Sequence, residues 1–422
     1  MALRLPSLRR VVRWVPALCF TLALFVVAGC SPDGYPQTTL APKADFAELL
    51  DQVFRRSFQL ATIVFFLVEG VLIWALFRFR GKQGDAEPAQ THGNAMLEVV
   101  WTVIPAVILV FIAIPTIQTI FKTAEVPTDN PLVIEVTGHQ WWWEFRYPEY
   151  NLVTAGDMHV PTGRTVDLRM TTGDVVHSFW TPQLAGKRDV FPGRDNRLWF
   201  RTETAGVYPG QCAEFCGTQH ARMAFQVVAQ DSAAFVAWRE GLAAVGAPAA
   251  SPAPADSAAA PAVDPLVAQG QQLFAAKACV GCHAVTAVGA PTMVGPNLAG
   301  VGSRTTIASG WLPNTDENLA RWLKNPQAVK VGVLMPNLGL TDDETTALVA
   351  YLRSLSVVPA PGAVAMTAAG NGREGSRCPR LRWGTPGQRR LPPRRRGSGA
   401  GSRPWITSGS GSSTASPPSC SS

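Results

Sequence analysis

The sequence predicts a multi-domain, membrane-anchored chain: a hairpin of two transmembrane helices, then an all-β domain, then an all-α domain. Three observations carry this. Two apolar runs, residues 57–79 and 97–121, reach the roughly 20 residues that a bilayer span requires. Between residues 131 and 229 the pattern changes to short β-rich runs broken by Gly, Pro and Asp, as expected for a sandwich or barrel. After an Ala/Pro-rich stretch at residues 241–263, residues 264–358 return to helical character, the composition between them being that of a linker.

The first segment starts with Arg4, Arg9, Arg10 and Arg13, continues with an apolar core at residues 14–27 and ends in Ala28-Gly29-Cys30. A basic region, a short apolar core and small residues describe a signal peptide over residues 1–29. Its Ala-Gly-Cys ending resembles a bacterial lipoprotein signal, with Cys30 as the lipidated residue. Residues 30–125 then hold the hairpin. Arg78, Arg80 and Lys82 follow the first span, which places the loop of residues 80–95 in the cytoplasm and both flanks outside. Glu69 and Glu98 lie in or at the edge of the spans, where an acid is costly and a functional candidate.

Residues 126–240 form the all-β domain, with strands expected at residues 132–137, 165–170, 197–200 and 224–228. In the all-α domain, residues 264–358, helices are expected at 265–277 and 342–355. Thr341 caps the second and Glu344 is placed to complete a capping box. From residue 359 the chain is rich in Gly, Ser, Arg and Pro and is expected to be disordered. The formal charge of +7 comes from this tail: from residue 361 it carries ten Arg against the single acid Glu374. The remainder is slightly acidic, and nothing in it points to a nucleic-acid partner.

Eight cysteines leave no disulfide framework. Cys19 lies in the apolar core of the leader, Cys30 fits the lipid-attachment site, Cys378 and Cys420 are in the tail, and four fall in two compact motifs. In the first, Cys212 and Cys216 are followed by His220 and Met223, with His177 upstream. Thiolate, imidazole and thioether are a donor set suited to copper, and two cysteines allow two coppers to share bridging thiolates. The alternatives are a disulfide or a zinc site; the methionine and the β-rich host weigh against zinc. The second motif, Cys279-Val280-Gly281-Cys282-His283, is the attachment signature of a c-type haem. His283 supplies one axial nitrogen and Met335 is the natural sixth ligand, with Met293 its competitor. A His/Met pair raises the haem potential.

On these residues the chain resembles two families. Residues 45–235 resemble subunit II of the haem-copper cytochrome c oxidases, through Gly138-His139-Gln140-Trp141-Trp142-Trp143, Val176-His177-Ser178-Phe179, Phe191-Pro192-Gly193-Arg194 and the loop from Cys212 to Met223. Residues 264–358 resemble class I cytochromes c, through the haem motif and Gly295-Pro296-Asn297-Leu298.

The resemblance implies a cupredoxin-like barrel with a fused cytochrome c domain. It further implies a binuclear copper centre (CuA) held by His177, Cys212, Cys216, His220, Met223 and the backbone carbonyl of Glu214. The Glu214 carboxylate would face a Mg2+ shared with subunit I. Trp141 matches the residue at which electrons enter, and Glu98 the acid at the mouth of a proton path. Cytochrome c would be the upstream donor, subunits I and III the partners, and the bacterial inner membrane the location, with both domains on the periplasmic side. Electrons would pass from haem c to copper to subunit I, where O2 is reduced to water with proton pumping.

His92, His139 and His159 are expected to be solvated or structural; for Trp142 and Trp143 core packing and a functional role stand as equal alternatives. A quinol oxidase subunit would lack the copper ligands. A nitric oxide reductase subunit and a stand-alone electron carrier remain as alternatives. A flexible linker of about twenty residues would keep the haem near the copper at roughly millimolar effective concentration.

Overall fold

The computed structural model describes residues 35–246 and 264–357, apart from residues 82, 83, 85, 88, 89, 91 and 129. The signal segment, Cys30, most of the linker and the tail lie outside the described residues.

Two long helices come first, α1 (Asp45–Arg78) and α2 (Ala95–Ala124). Their most apolar stretches contain no buried residue within the chain, so lipid or another subunit must cover them. Pro105 and Pro115 sit inside α2, a placement membrane helices tolerate better than soluble ones. α1 begins well before the apolar stretch because its first turn has a different task. Ala44, Phe46 and Ala47 are buried, and the Phe46 ring meets Trp199 edge-on at 5.4 Å. The Trp199 indole also donates to the Thr123 carbonyl at 3.2 Å. Both helices are thereby fixed to the β domain.

Ten strands follow in chain order. These are β1 (Leu132–His139), β2 (Trp142–Tyr147), β3 (Leu152–Ala155), β4 (Asp157–Pro161) and β5 (Val166–Thr172), then β6 (His177–Trp180), β7 (Arg188–Val190), β8 (Asn196–Phe200), β9 (Gly206–Cys212) and β10 (Ala224–Gln230). They form two five-stranded sheets, ordered β3-β2-β1-β5-β8 and β4-β10-β9-β6-β7. Trp143, Phe179 and Phe225 from the two sheets meet in the core, Trp143 edge-on to Phe179 at 5.4 Å and Phe179 stacked on Phe225 at 4.3 Å. Along β10 burial alternates residue by residue, as in a half-buried strand. Along β3 every residue is buried, which means that something covers its outer face. Helix α3 (Ser232–Ala244), reaching into the stretch with linker composition, lays Trp238 flat on His159 at 4.2 Å.

The α domain comprises α4 (Pro265–Ala276), α5 (Asp316–Lys324), the single turn α6 (Pro326–Val329) and α7 (Asp342–Ser354). The capping box at α7 is formed: Thr341 Oγ1 accepts from the Glu344 amide, and Glu344 Oε2 from the Thr341 amide. α4 crosses α7 at Gly270, where a Cβ would stand 2.0 Å from the Ala347 carbonyl oxygen. Gly270→Ala must therefore push two packed helices apart, at a cost of roughly 1–3 kcal/mol. The expected result is a lower melting midpoint at the haem band; an unchanged midpoint would mean that the crossing is looser than this.

The α domain is what covers β3. Val153 donates to the Ala287 carbonyl at 3.0 Å, Gly289 donates to the Asn151 carbonyl at 2.9 Å, and Leu152 bridges Val288. The otherwise unpaired edge of the first sheet is thus hydrogen-bonded to the neighbouring domain.

Candidate metal centre and cofactor cavity

β6 and β9 are antiparallel neighbours with Phe179 opposite Cys212, which brings His177 and Cys212 to one end of the second sheet. The connection to β10 is a compact loop containing a helical turn at His220–Arg222, and it folds Cys216, His220 and Met223 back onto the same spot. His177 Nδ1 lies 3.8 Å from Cys212 Sγ. Cys216 Sγ lies 3.6 Å from His220 Nδ1 and 3.8 Å from Met223 Sδ. The two sulfurs are 3.8 Å apart and both are free thiols, so the pair is not a disulfide. The Glu214 carbonyl is 3.2 Å from Cys212 Sγ, while its side chain faces outward. All the residues of the expected copper set therefore converge.

The electrostatics suit a cation held by thiolate. The hydrogen bond shared with Cys216, aided by His177, holds the Cys212 thiol well below the usual thiol range, and the same contact pushes Cys216 up. Burial works against a charged His177, but its bonds to Asp174 and Cys212 outweigh it and raise its pKa.

Asp174 was not identified from the sequence. Its Oδ1 is 2.8 Å from His177 Nε2, and its carboxylate also accepts from the Gln140 and Val175 amides at 2.6 Å each. A carboxylate on the far nitrogen fixes an imidazole's orientation and tautomer, and here leaves Nδ1 aimed at the sulfurs. The available signal was an acid three residues before a ligand histidine, which by itself is uninformative. His139 and His159 serve packing instead, stacked on Trp142 and Trp238 respectively at 4.2 Å.

A cavity of about 410 Å³ lies in the α domain where it meets the β domain. Phe274, Leu298, Val301, Leu319, Leu348 and Leu352 give it an apolar wall, and Cys279, Cys282, His283 and Met335 open into it. Met335 is on this wall, whereas Met293 is not among its lining residues. His283 Nδ1 donates to the Pro296 carbonyl at 2.8 Å, which leaves Nε2 with its lone pair. Burial lowers the His283 pKa and favours the neutral, ligating form. Gly295 makes room for the ring, since a Cβ there would sit 2.5 Å from His283 Cε1. Two thiols, a neutral imidazole and a thioether on an apolar cavity fit a covalently held haem.

The remaining wall comes from the β domain: Gln140, Trp141, Trp142 and Asp157. Trp141 Nε1 and Gln140 Nε2 both donate to the Cys216 carbonyl, at 3.0 and 2.8 Å. One indole thus borders the cavity and is bonded to the backbone of the metal loop. Trp141 is half-buried beneath the α domain and is not a free surface residue. Glu98 stands apart, exposed in the first turn of α2, at the end of that helix away from the β domain.

A membrane hairpin, a cupredoxin-like β domain with a sulfur-rich metal loop and a helical domain with a haem-type cavity define a membrane-anchored electron-transfer protein. Residues 39–119 match the transmembrane domain of cytochrome c oxidase subunit II, residues 151–230 its periplasmic domain and residues 267–356 cytochrome c. A cytochrome c oxidase subunit 2 of Alkalihalophilus pseudofirmus is 38% identical over 354 residues, covering 82% of this chain and 97% of the relative. That of Bacillus sp. strain PS3 is 34% identical over 360 residues, covering 80% and 96%. Among solved structures, the periplasmic domain of subunit II of the Bradyrhizobium japonicum cytochrome oxidase is 31% identical, with a TM-score of 0.27, over 28% of this chain and 95% of that one.

The chain belongs to the cytochrome c oxidase subunit II family and carries a fused C-terminal cytochrome c domain. It is a subunit of an oxidoreductase complex, with domains of copper- and haem-binding type and its periplasmic domain outside the membrane.

Proposed function

We propose that this chain is the electron-input subunit of a proton-pumping terminal oxidase. It takes electrons from a cytochrome c donor and delivers them to subunit I, where O2 is reduced to water. Cys279 and Cys282 would hold haem c covalently, with His283 and Met335 as its axial ligands. His177, Cys212, Cys216, His220, Met223 and the Glu214 carbonyl would hold the binuclear CuA centre. When bound, these groups supply reversible one-electron chemistry at two neighbouring sites.

The single observation that carries the reading is Trp141, whose indole borders the haem cavity and bonds the Cys216 carbonyl. Together with Gln140, which lines the same cavity and bonds the same carbonyl at 2.8 Å, it makes a short hydrogen-bonded connection between the two sites. Asp174 keeps the His177 ring in its ligating orientation, and the apolar cavity wall excludes water around the haem edge. Because the α domain covers Trp141, an external donor would meet the haem domain before the copper. The outward Glu214, beside Phe215 at 75% exposure, supports contact with subunit I, where the carboxylate would face Mg2+. Subunit III, a bacterial inner-membrane location, Cys30 lipidation and a proton-path role for Glu98 complete the proposal.

Trp141→Phe keeps an aromatic ring but removes the bond to Cys216. Copper and haem spectra should be retained, while electron transfer between them slows by roughly tenfold, the effect of about 1.4 kcal/mol on a barrier. The assembled oxidase with reduced cytochrome c provides the test: oxygen uptake supports the reading, and its absence with both sites loaded rejects it.

A further inference from the structure

Sequence composition alone describes two domains joined by a flexible tether, in which the haem domain would find the copper domain by repeated encounter. The contacts between the domains describe something else. At the metal loop the cytochrome domain presents Val329, Lys330 and Val331, just ahead of Met335 on the same segment. Arg222 Nη1 donates to the Val329 carbonyl at 3.1 Å, and Gln219 Nε2 to the Val331 carbonyl at 2.5 Å. Between them Lys330 points the opposite way. Its Nζ donates to the Arg222 carbonyl at 2.9 Å and to the Ala308 carbonyl at 3.1 Å.

Lys330 is 2% exposed, and a lysine is almost never so deeply buried without partners. Both partners are backbone carbonyls. One belongs to the copper loop, one residue before Met223; the other belongs to the segment 306–310 on the cavity wall. That segment crosses back as well: Ala224 donates to the Ser309 carbonyl at 3.0 Å, and Ser309 Oγ to the Trp141 carbonyl at 2.7 Å. One ammonium therefore joins the copper loop, the Met335 segment and the cavity wall.

We propose that Lys330 is a positioning residue, an interdomain latch that holds the cytochrome domain on the copper domain in one fixed register, so that transfer between the two sites does not depend on the tether. The inference rests on the electron-input reading above for its kinetic consequence, but not for the dock itself. Charge-assisted hydrogen bonds to buried carbonyls are among the stronger ones, and losing the donor leaves both acceptors unsatisfied. Lys330 lines the cavity, but its Nζ bonds the Arg222 and Ala308 carbonyls and not the ligand atoms of either site. It acts through the backbone that carries them.

The test uses the assembled oxidase in four forms: wild type, Lys330→Met, wild type with the 247–263 segment lengthened by about ten residues, and the two changes combined. Two quantities are read: hydrogen exchange at the amides that bond across the interface (Val153, Ala224, Gly289), and the rate of haem-to-copper electron transfer after photoinjection. In the wild type all three amides should be protected, and lengthening the tether should change the transfer rate less than twofold. In Lys330→Met the copper and haem spectra should persist, while exchange at all three amides accelerates about tenfold or more. Transfer should slow comparably and become slower still with the longer tether.

Unprotected amides in the wild type would overturn the proposal, as would a rate that falls when the tether alone is lengthened. Acceleration at Ala224 only, with Val153 and Gly289 unchanged, would reduce Lys330 to a local contact and overturn it equally. Protected amides with no transfer between loaded sites in the wild type would support the dock and reject the electron-input reading.

Discussion

Replacing Cys216 by serine is expected to abolish the near-infrared absorption of the copper pair and to lower turnover by more than about a hundredfold, while leaving the c-type haem spectrum intact. Three contacts converge on this one sulfur: Cys212 Sγ at 3.8 Å, His220 Nδ1 at 3.6 Å and Met223 Sδ at 3.8 Å. Cys212 makes the matching set on the other side, with His177 Nδ1 at 3.8 Å and the Glu214 carbonyl at 3.2 Å, so the two sulfurs together link the halves of the site. A serine hydroxyl is a hard, weakly acidic ligand and cannot replace a bridging thiolate. The residue is buried against Trp141, whose indole bonds its carbonyl, so the backbone need not move. The separation of effects matters most. Metal analysis and haem staining of the purified variant should show copper lost and haem kept. Loss of both would mean that the sites are not independent.

The second large effect is expected at Met335. Met335→Ala should keep the haem attached through Cys279 and Cys282 but open its sixth position, so that the reduced protein binds carbon monoxide. Loss of the thioether also removes what raises the potential of a His/Met haem. For a one-electron couple each fall of about 59 mV shifts the equilibrium tenfold against reduction, so a drop of about 120 mV would disfavour the reduced haem about a hundredfold. Redox titration and carbon monoxide difference spectra check both parts. If Met293→Ala produces this phenotype and Met335→Ala does not, the axial assignment is wrong.

Much of both sites was legible because the ligands are local. Cys212, Cys216, His220 and Met223 fall within twelve residues, and Cys279, Cys282 and His283 within five. Spacing therefore carried the chemistry before any fold was known. His177 stood in the sequence only as a distant candidate, because strand pairing rather than spacing brings it to Cys212. The hairpin was legible from length and apolarity, whereas the start of α1 was not. Phe46 is buried by Trp199, a contact across some 150 positions that leaves no local periodicity.

The interface between domains was the least legible feature. β2 and β3 have the burial of interior strands, with Trp142, Glu144 and all of β3 buried, yet their outer face is covered by another domain and not by the sandwich's own core. Glu144 shows how this is achieved. It is 3% exposed, accepting from Thr292 Oγ1 at 3.0 Å and from Arg146 Nη2 at 3.4 Å, while Arg146 also donates to the Ala290 carbonyl. A buried acid among aromatics has no distinguishing sequence pattern. Asp174 was missed for the same reason, since its meaning depends entirely on where His177 Nε2 points.

The central claim is that an electron entering this chain at the haem site moves on to the copper pair before it leaves. Photoinjection of a single electron into the assembled oxidase, followed at the haem and near-infrared copper bands together, tests it most directly. The haem band should reduce first, and its reoxidation and copper reduction should share one rate, slowed in Trp141→Phe. Copper reduction that precedes the haem, or keeps its rate when Met335 is removed, would contradict it.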